Sequence, residues 1–328
     1  MEKLRNIKVV PVAFESLGVR SMCTYVETPE IKVLLDAGVS LSPNRYGLAP
    51  HPEEYKVIRE RRSLMLKMAE QADIITISHY HFDHHTPSFT DWVCNWCSAT
   101  TARKIYSGKI VFAKSYKSKI NASQRRRGWM FHKTGGQAAN RLEFVDGRTF
   151  KFGSTTIRFS KPVYHGRKGS PLGWVLMTII ERDEEKILFA PDIQGPMYEE
   201  PLKKILAEKP FLAIIGGPPL YLAEYKVNPE NIKLAMKNLE VIAEQIPVVI
   251  LDHHILRDQN WEESAKLVLK KASSLGHVIL TAAQYVGEKN LLLEAQRKAL
   301  YASHPPSKEF LEWAKINIQE RKGIPPPI

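Results

Sequence analysis

Between Ser78 and His85 the chain reads Ser-His-Tyr-His-Phe-Asp-His-His, and five of these eight side chains can ligate a metal ion. The preceding run, Asp73-Ile-Ile-Thr-Ile, is apolar and β-branched, so the histidines stand in a loop at the end of a buried strand. In extended backbone alternate side chains point the same way, about 6.5–7 Å apart. His79 and His81 can therefore close on one ion while Tyr80 turns aside. Asp83 and His84 come later in the turn and are placed for a second ion, which in catalytic pairs lies about 3.5–4 Å from the first. A surface histidine cluster without metal is the plain alternative. The choice depends on whether the rest of the chain supplies the missing ligands.

The elements that must hold this loop are legible in part. Ile7–Phe14, Ser21–Val26 and Ile31–Asp36 are β-rich runs separated by turn residues, an antiparallel meander. Pro52–Gln71 reads as a helix with proline in its first turn. It has Tyr55, Ile58, Arg62, Met65, Leu66 and Ala69 close to one face and Arg59, Arg61 and Arg62 near Glu60 on the other, solvated one. A helix is expected around Asp91–Thr101 and a strand at Lys109–Ala113. Leu142–Val145, Thr149–Phe152 and Thr155–Phe159 are expected to form a second meander, with Trp174–Ile180 and Lys186–Ala190 pairing after it. Helices at Met197–Glu208, Pro229–Gln245 and Trp261–Leu275 then alternate with strands Phe211–Ile215, Val248–Leu251 and His277–Leu280. Helices near Lys289–Ala302 and Lys308–Arg321 follow, and Ile324–Ile328 reads as a frayed end.

His-x-His-x-Asp-His after a β-strand resembles the signature of the metallo-β-lactamase superfamily of hydrolases. Within it the chain is most similar to the UPF0282-like archaeal group of predicted metal-dependent hydrolases, for which no substrate is implied. The resemblance implies an α/β fold, a four-layer αββα sandwich with a dinuclear metal site at one edge of the sheets. It also implies ligands carried residue by residue. Asp36, in Asp36-Ala-Gly38 at the end of the third strand, matches the aspartate that supports the metal loop through hydrogen bonds. His165, in Pro162-Val-Tyr-His165-Gly166, matches the third ligand of the first metal, beside His79 and His81. Asp192, in Pro191-Asp192-Ile-Gln-Gly195, matches the carboxylate between the two ions. The last ligand, joining Asp83 and His84 on the second ion, falls at Asp252-His253-His254. Successive residues of an extended chain point opposite ways, so one of His253 and His254 faces the metals, with His253 favoured as the first residue past the strand. The nucleophile implied is a metal-bridging hydroxide, with Asp83 as the catalytic residue that holds a metal and orients it. Histidine and aspartate sites accept zinc, manganese or iron, and zinc is the expected pair of ions.

The chain of 328 residues carries a net charge of +12, and its distribution is uneven. From Trp92 to Leu142 there is no Asp or Glu, and eleven Lys and Arg fall there, so nearly all the excess is local. Basic residues alternate with Trp92, Trp96, Tyr106, Tyr116, Trp129 and Phe131, a mixture that suits nucleic acid or another polyanion. Arg125, Arg126 and Arg127 are the expected substrate contacts. A solvated basic face over core aromatics is the simpler reading of the same pattern. Three cysteines are too few for a disulfide framework. Cys94-Asn-Trp-Cys97 has the spacing of half a zinc site with no second half. The first residues lack the apolar core of a signal peptide, and no apolar run approaches the roughly 20 residues of a membrane span. A cytoplasmic location without membrane contact is therefore expected.

The reading is a single domain over residues 1–328, with a basic insertion at about 92–142 and a helical extension at about 289–328. Its function is metal-dependent hydrolysis, as a phosphodiesterase or nuclease on a polyanion. A small-molecule ester, thioester or lactone hydrolase of the same fold is one alternative, and a non-catalytic nucleic-acid-binding protein is another. A redox di-iron relative would carry Glu in place of His81 and a flavin domain behind it. His132 is the one further histidine of interest, because it lies in the basic stretch.

Overall fold

The computed structural model describes residues 4–223 and 225–328. The first sheet begins as the expected meander, β1 (Lys8–Phe14), β2 (Met22–Glu27) and β3 (Lys32–Leu35). It continues in parallel with β4 (Ile74–Ile77), β5 (Ile110–Ala113) and β6 (Arg141–Phe144), in spatial order β1 to β6. β7 (Thr149–Phe152) and β8 (Thr155–Phe159) open the second sheet. A ribbon of β9 (Val163–Tyr164) and β10 (Trp174–Val175) precedes β11 (Thr178–Arg182), β12 (Glu185–Ala190), β13 (Leu212–Gly216), β14 (Val248–Asp252) and β15 (Val278–Leu280). Strand order in the second sheet is β15-β14-β13-β12-β11-β8-β7, with β12 to β15 parallel.

Period-two burial builds the layers. Along β13, Leu212 and Ile214 face the first sheet while Ala213 and Ile215 face the outer helices, and β14 repeats this with Val248 and Ile250 against Val249 and Leu251. Each of the leucines, isoleucines and valines among them contributes about 1.5–3 kcal/mol on burial. The outer face of the first sheet is covered by α1 (Pro52–Gln71), α2 (Ala99–Tyr106), α3 (Ala122–Lys133) and α4 (Gly135–Ala138). The second sheet packs on α5 (Glu199–Glu208), α6 (Pro229–Gln245), α7 (Trp261–Ser264) and α8 (Lys266–Ser274). α9 (Ala282–Tyr285), α10 (Leu293–Ser303), α11 (Lys308–Lys315) and α12 (Ile318–Arg321) complete the chain. The result is the four-layer αββα sandwich.

Several local expectations are corrected. The stretch 92–142 is not wholly an insertion, because β5 inside it and β6, which starts at its end, are hydrogen-bonded strands of the first sheet. β6 pairs with β5 and so lies outside the meander expected around it. Asp91–Cys97 is a closed turn and not a helix, since the Asp91 carboxylate accepts from the amides of Val93 and Cys94 and from Asn95 Nδ2. Ser98 then caps α2. The run Trp174–Ile180 divides between β10 and β11. The helix expected over Trp261–Leu275 breaks at Ala265, and that over Lys308–Arg321 breaks at Ile316 and Asn317, both extended (ψ 142 and 134). The C-terminal run is anchored at two points, since the Ile324 carbonyl accepts from Trp313 Nε1 over 3.0 Å and Pro326 is buried, while the Ile324 and Ile328 side chains stay exposed. Arg62, which the sequence puts on both faces of α1, is buried and donates to Thr86 Oγ1 (2.6 Å) and the Asn95 carbonyl (2.7 Å), which ties α1 to the loop after β4.

Candidate metal centre

Four parallel strands deliver the site from their C-terminal ends, the usual position for ligand sites in open α/β sheets. β3 ends at Asp36, β4 at the loop Ser78–His85, β12 at Asp192 and β14 at His253. The backbone turns sharply as it leaves three of these strands, with left-handed φ at Asp36 (49°), Asp192 (52°) and His253 (69°). None of the three is glycine, so each position stores about 1–3 kcal/mol of strain that the surrounding packing must hold. The loop lies tightly on its neighbours. A Cβ on Gly38 would stand 2.3 Å from the His85 amide nitrogen, and one on Gly128 of α3 would stand 2.6 Å from the Tyr80 ring.

Asp192 occupies the centre. Its Oδ2 lies 2.8 Å from His165 Nε2, 3.0 Å from His79 Nε2 and 3.3 Å from His84 Nε2. Its Oδ1 lies 3.1 Å from His253 Nε2 and 3.4 Å from His254 Nδ1. His81 turns Nδ1 inward, 3.1 Å from His79 Nε2. Asp83 Oδ2 is 3.6 Å from His253 Nε2. The side chains form ligand-sized groups: His79, His81, His165 and Asp192; Asp83, His84 and His253; Asp192, His253 and His254. The expected ligands, including both candidates for the last position, His253 and His254, are thus brought together, with Asp36 behind them. His253 joins Asp83 and His84, whereas His254 groups only with Asp192 and His253.

Protons on the outer nitrogens set which nitrogens face inward. Asp36 accepts from the Ser78 amide over 2.8 Å and from His84 Nδ1 over 2.8 Å. The Ser78 hydroxyl also donates to Asp36, so its oxygen accepts from His79 Nδ1 at 3.0 Å. Nε2 of both His79 and His84 is left as a lone pair aimed at the centre. Behind His253 stand Glu15, whose Oε2 is 3.4 Å from Nδ1, and Asp252, which accepts from the His253, Ser16 and Ala282 amides.

A divalent ion fits this donor set. His84 Nε2, Asp192 Oδ1, His253 Nε2 and His254 Nδ1 are buried with no hydrogen-bond partner, a state that costs about 1–3 kcal/mol per group unless something else satisfies it. Burial pushes the pKa values of His79, His81 and His254 below the ordinary range, so these imidazoles are neutral lone-pair donors. Burial acts the same way on His84, but the charges of Asp192, Asp36 and Asp83 outweigh it and raise its pKa. His253 is raised too, as Asp192 overcomes burial. Burial alone would raise Asp192 and Asp83, yet the histidines around them hold both carboxyls low. The negative charge in this pocket calls for positive charge, which protons on His84 and His253 or bound cations can supply.

The cleft over the centre has a volume of 570 Å³ and is bordered by Arg20, Arg127, Arg257 and Lys322 among others. Only Arg127 of the three expected arginines reaches it. Arg125 lines a separate groove with Tyr116, Lys117 and Trp129, and Arg126 lies between that groove and a second cavity. The helical period sends adjacent residues about 100° apart, so three arginines in a row cannot share one face. His132 packs against Tyr116 and Phe144, away from the metals. Cys94 and Cys97 are free, burial pushes both thiols up to about 12, and neither belongs to a ligand-sized group among the described residues.

Sequence reasoning missed Gln124, Glu15 and Arg257. Gln124 is buried, accepts from the Tyr80 amide over 3.1 Å and donates to the Leu172 carbonyl over 2.6 Å, pinning α3 to the metal loop. Nothing in its neighbourhood marks it. Ser78, directly before the first histidine, carried a signal that its position alone could have supplied.

No family model matches the chain. Sequence relatives include a UPF0282 protein of Methanopyrus kandleri, 41% identical over 294 residues that cover 90% of this chain and 99% of the relative. A UPF0282 protein of Thermococcus kodakarensis is 42% identical over 296 residues, covering 90% and 95%. Among solved structures, unliganded yeast PDE1 superposes with a TM-score of 0.50 at 10% identity, covering 85% of this chain and 99% of that one. At that identity the likeness concerns the fold alone. No helix among the described residues is long and apolar enough to cross a membrane.

Proposed function

The chain belongs to the UPF0282 family and has the metallo-β-lactamase fold, and from that premise we propose that it is a dinuclear metal-dependent phosphodiesterase acting on a nucleic acid or other polyanion. The observation that carries this reading is Asp192, one carboxylate whose two oxygens face two different histidine groups. His79, His81 and His165 would hold one divalent ion, and Asp83, His84 and His253 the other, with Asp192 between. Two such ions supply a nucleophile near neutral pH by lowering the pKa of water and polarise the bond under attack.

The protein's own groups do the rest. Asp83 is ionised, since His84 and His253 overcome its burial, so its carboxylate accepts a hydrogen bond from the attacking water and orients it. Arg127 and Lys322 border the cleft and neutralise the non-bridging oxygens of a phosphate, the charge-assisted contact that suits arginine. Fold and metals serve carbonyl substrates equally well; these cations favour the phosphodiester.

The test is metal-restored hydrolysis. Wild type and His81→Ala, stripped and reloaded with zinc or manganese, are assayed on bis-p-nitrophenyl phosphate, single-stranded RNA and DNA, a lactone and a thioester. Phosphodiester cleavage lost in the variant supports the reading. Cleavage confined to the lactone and thioester overturns it, and purified protein that holds no metal would favour a non-catalytic binder.

A further inference from the structure

Next to the metal cleft lies a second cavity that the proposed chemistry leaves unused. Its volume of 620 Å³ is within the range of small-molecule and cofactor sites. Its walls are largely carbon, from Phe82, Phe89, Met130 and Phe131, with the His85 ring among them. Phe82, Phe89, Arg127 and Lys322 border both this cavity and the metal cleft, so the two are contiguous. At the junction the Arg127 guanidinium sits 4.4 Å over the Phe82 ring centroid and donates to the Tyr80 carbonyl over 3.4 Å.

The lining has the chemistry of a site for a flat, polar-edged ring. Phe82 and Phe89 meet edge to face with centroids 5.3 Å apart. Phe89 and Met130 are 41% and 46% exposed, so large apolar surface is open to water within a concave site. His85 is absent from every ligand-sized group at the metal centre. Its Nδ1 donates to the His81 carbonyl over 3.0 Å, which makes Nε2 an acceptor. Ser123, Thr134 and Gln319 add hydroxyl and amide groups. Cations stand at the boundary with the metals, where a phosphate joined to the ring would lie.

We infer that this cavity receives a nucleobase of the substrate, packed against Phe82 and Phe89, while the adjoining phosphodiester passes Arg127 to reach the metals. The inference rests on the phosphodiesterase reading and names its substrate class as a nucleotide with an accessible base. An acyl chain would fill the same carbon walls but would offer nothing polar to Arg126 or to the His85 acceptor.

Calorimetric titration of the full chain with adenosine 5′-monophosphate and with ribose 5-phosphate separates base from phosphate. The nucleotide is expected to bind about tenfold more tightly or better, the size of one base–aromatic stack. Phe89→Ala should remove most of that advantage and leave the ribose phosphate nearly unaffected, whereas Phe89→Tyr, which keeps a ring, should retain it. Met130→Ala is expected to act in the same direction as Phe89→Ala, so the idea remains testable if one variant fails to fold. Equal affinities for the two ligands overturn it, as does a Phe89→Ala loss shared equally by both or tighter binding of octanoyl phosphate. If no phosphodiester is cleaved but the ring-dependent preference is present, the phosphodiesterase reading falls and the base site stands. Cleavage without any preference for the base has the reverse meaning.

Discussion

Asp36 Oδ2 lies 2.8 Å from His84 Nδ1, and the same carboxylate holds His79 through the Ser78 hydroxyl. One buried acid therefore sets the tautomer of a histidine in each half of the metal centre. Asp36→Ala is expected to weaken both ions, by about 10–100-fold each, the usual size for such supporting groups. Ser78→Ala should weaken chiefly the ion held by His79. Competition with a chelating dye, run as a two-site titration, reads the two losses separately. Equal effects of the two substitutions on both sites would contradict the relay.

Metal removal should lower thermal stability. Ligands that bind only the folded state stabilise it by mass action, about 2.7 kcal/mol at a hundred times Kd, and here they also satisfy buried atoms that otherwise lack partners. Treatment with chelator is expected to lower Tm, and restored zinc or manganese to raise it again. A Tm indifferent to metal would mean that the centre is not occupied.

Gly38→Ala is expected to damage the centre without touching a ligand. The new methyl would sit 2.3 Å from the His85 amide nitrogen and 2.5 Å from the His84 backbone, so the loop must move. Overpacking of this kind costs about 1–3 kcal/mol, and denaturant melts together with metal content should both fall. Unchanged metal content would show that the loop yields without shifting its histidines.

Glu294 makes a prediction in pH. It pairs with Arg20 at 2.6 Å, and its pKa is lowered to about 2, burial being outweighed by Arg20 and then by Arg257 and Arg297. Its folded pKa lies below the unfolded value of about 4.3. The stabilisation is therefore fully present above pH 4–5 and lost as pH falls toward 2, and amounts to about 3 kcal/mol. Glu294→Gln should lose most of that at pH 7 and converge with wild type in acid, as urea melts across pH would reveal.

The arginines of α3 should separate by face. Arg127→Ala is expected to raise KM for bis-p-nitrophenyl phosphate, since Arg127 borders the cleft. Arg125→Ala should spare that substrate, weaken single-stranded RNA binding and reduce the salt dependence by about one charge. A shared effect on the small substrate would place Arg125 nearer the chemistry than its groove beside Trp129 does.

The clustering of His79, His81, Asp83, His84 and Asp192 was legible because metal chemistry restricts residue type and strand ends restrict position, and the structure brings these side chains together. The layers were legible for the same kind of reason: β13 and β14 alternate between two cores. What the sequence concealed depends on contacts remote along the chain. Gln124 and Glu15 look ordinary until the Tyr80 loop and the end of β14 are packed beside them. The split arginine triplet follows from helix geometry, but only once the boundaries of α3 are known. The turn at Asp91 defeated the helix reading because the backbones of Asp91 and Cys97 pair with each other (2.9 and 3.2 Å) and Trp96 turns to a left-handed φ of 44°, both of which only the folded loop reveals.

Because the residues around Asp192 are drawn from strand ends as distant as Asp36 and His253, no fragment of the chain emerging from a ribosome contains the centre. His79 and His81 are made early, but His165 and Asp192 join them only after the second sheet has been made through β12 and has docked on the first. A chain interrupted before β14 would keep that group and lack His253 and His254. An ion held between His84 and His253 would therefore report that both sheets are complete and have met.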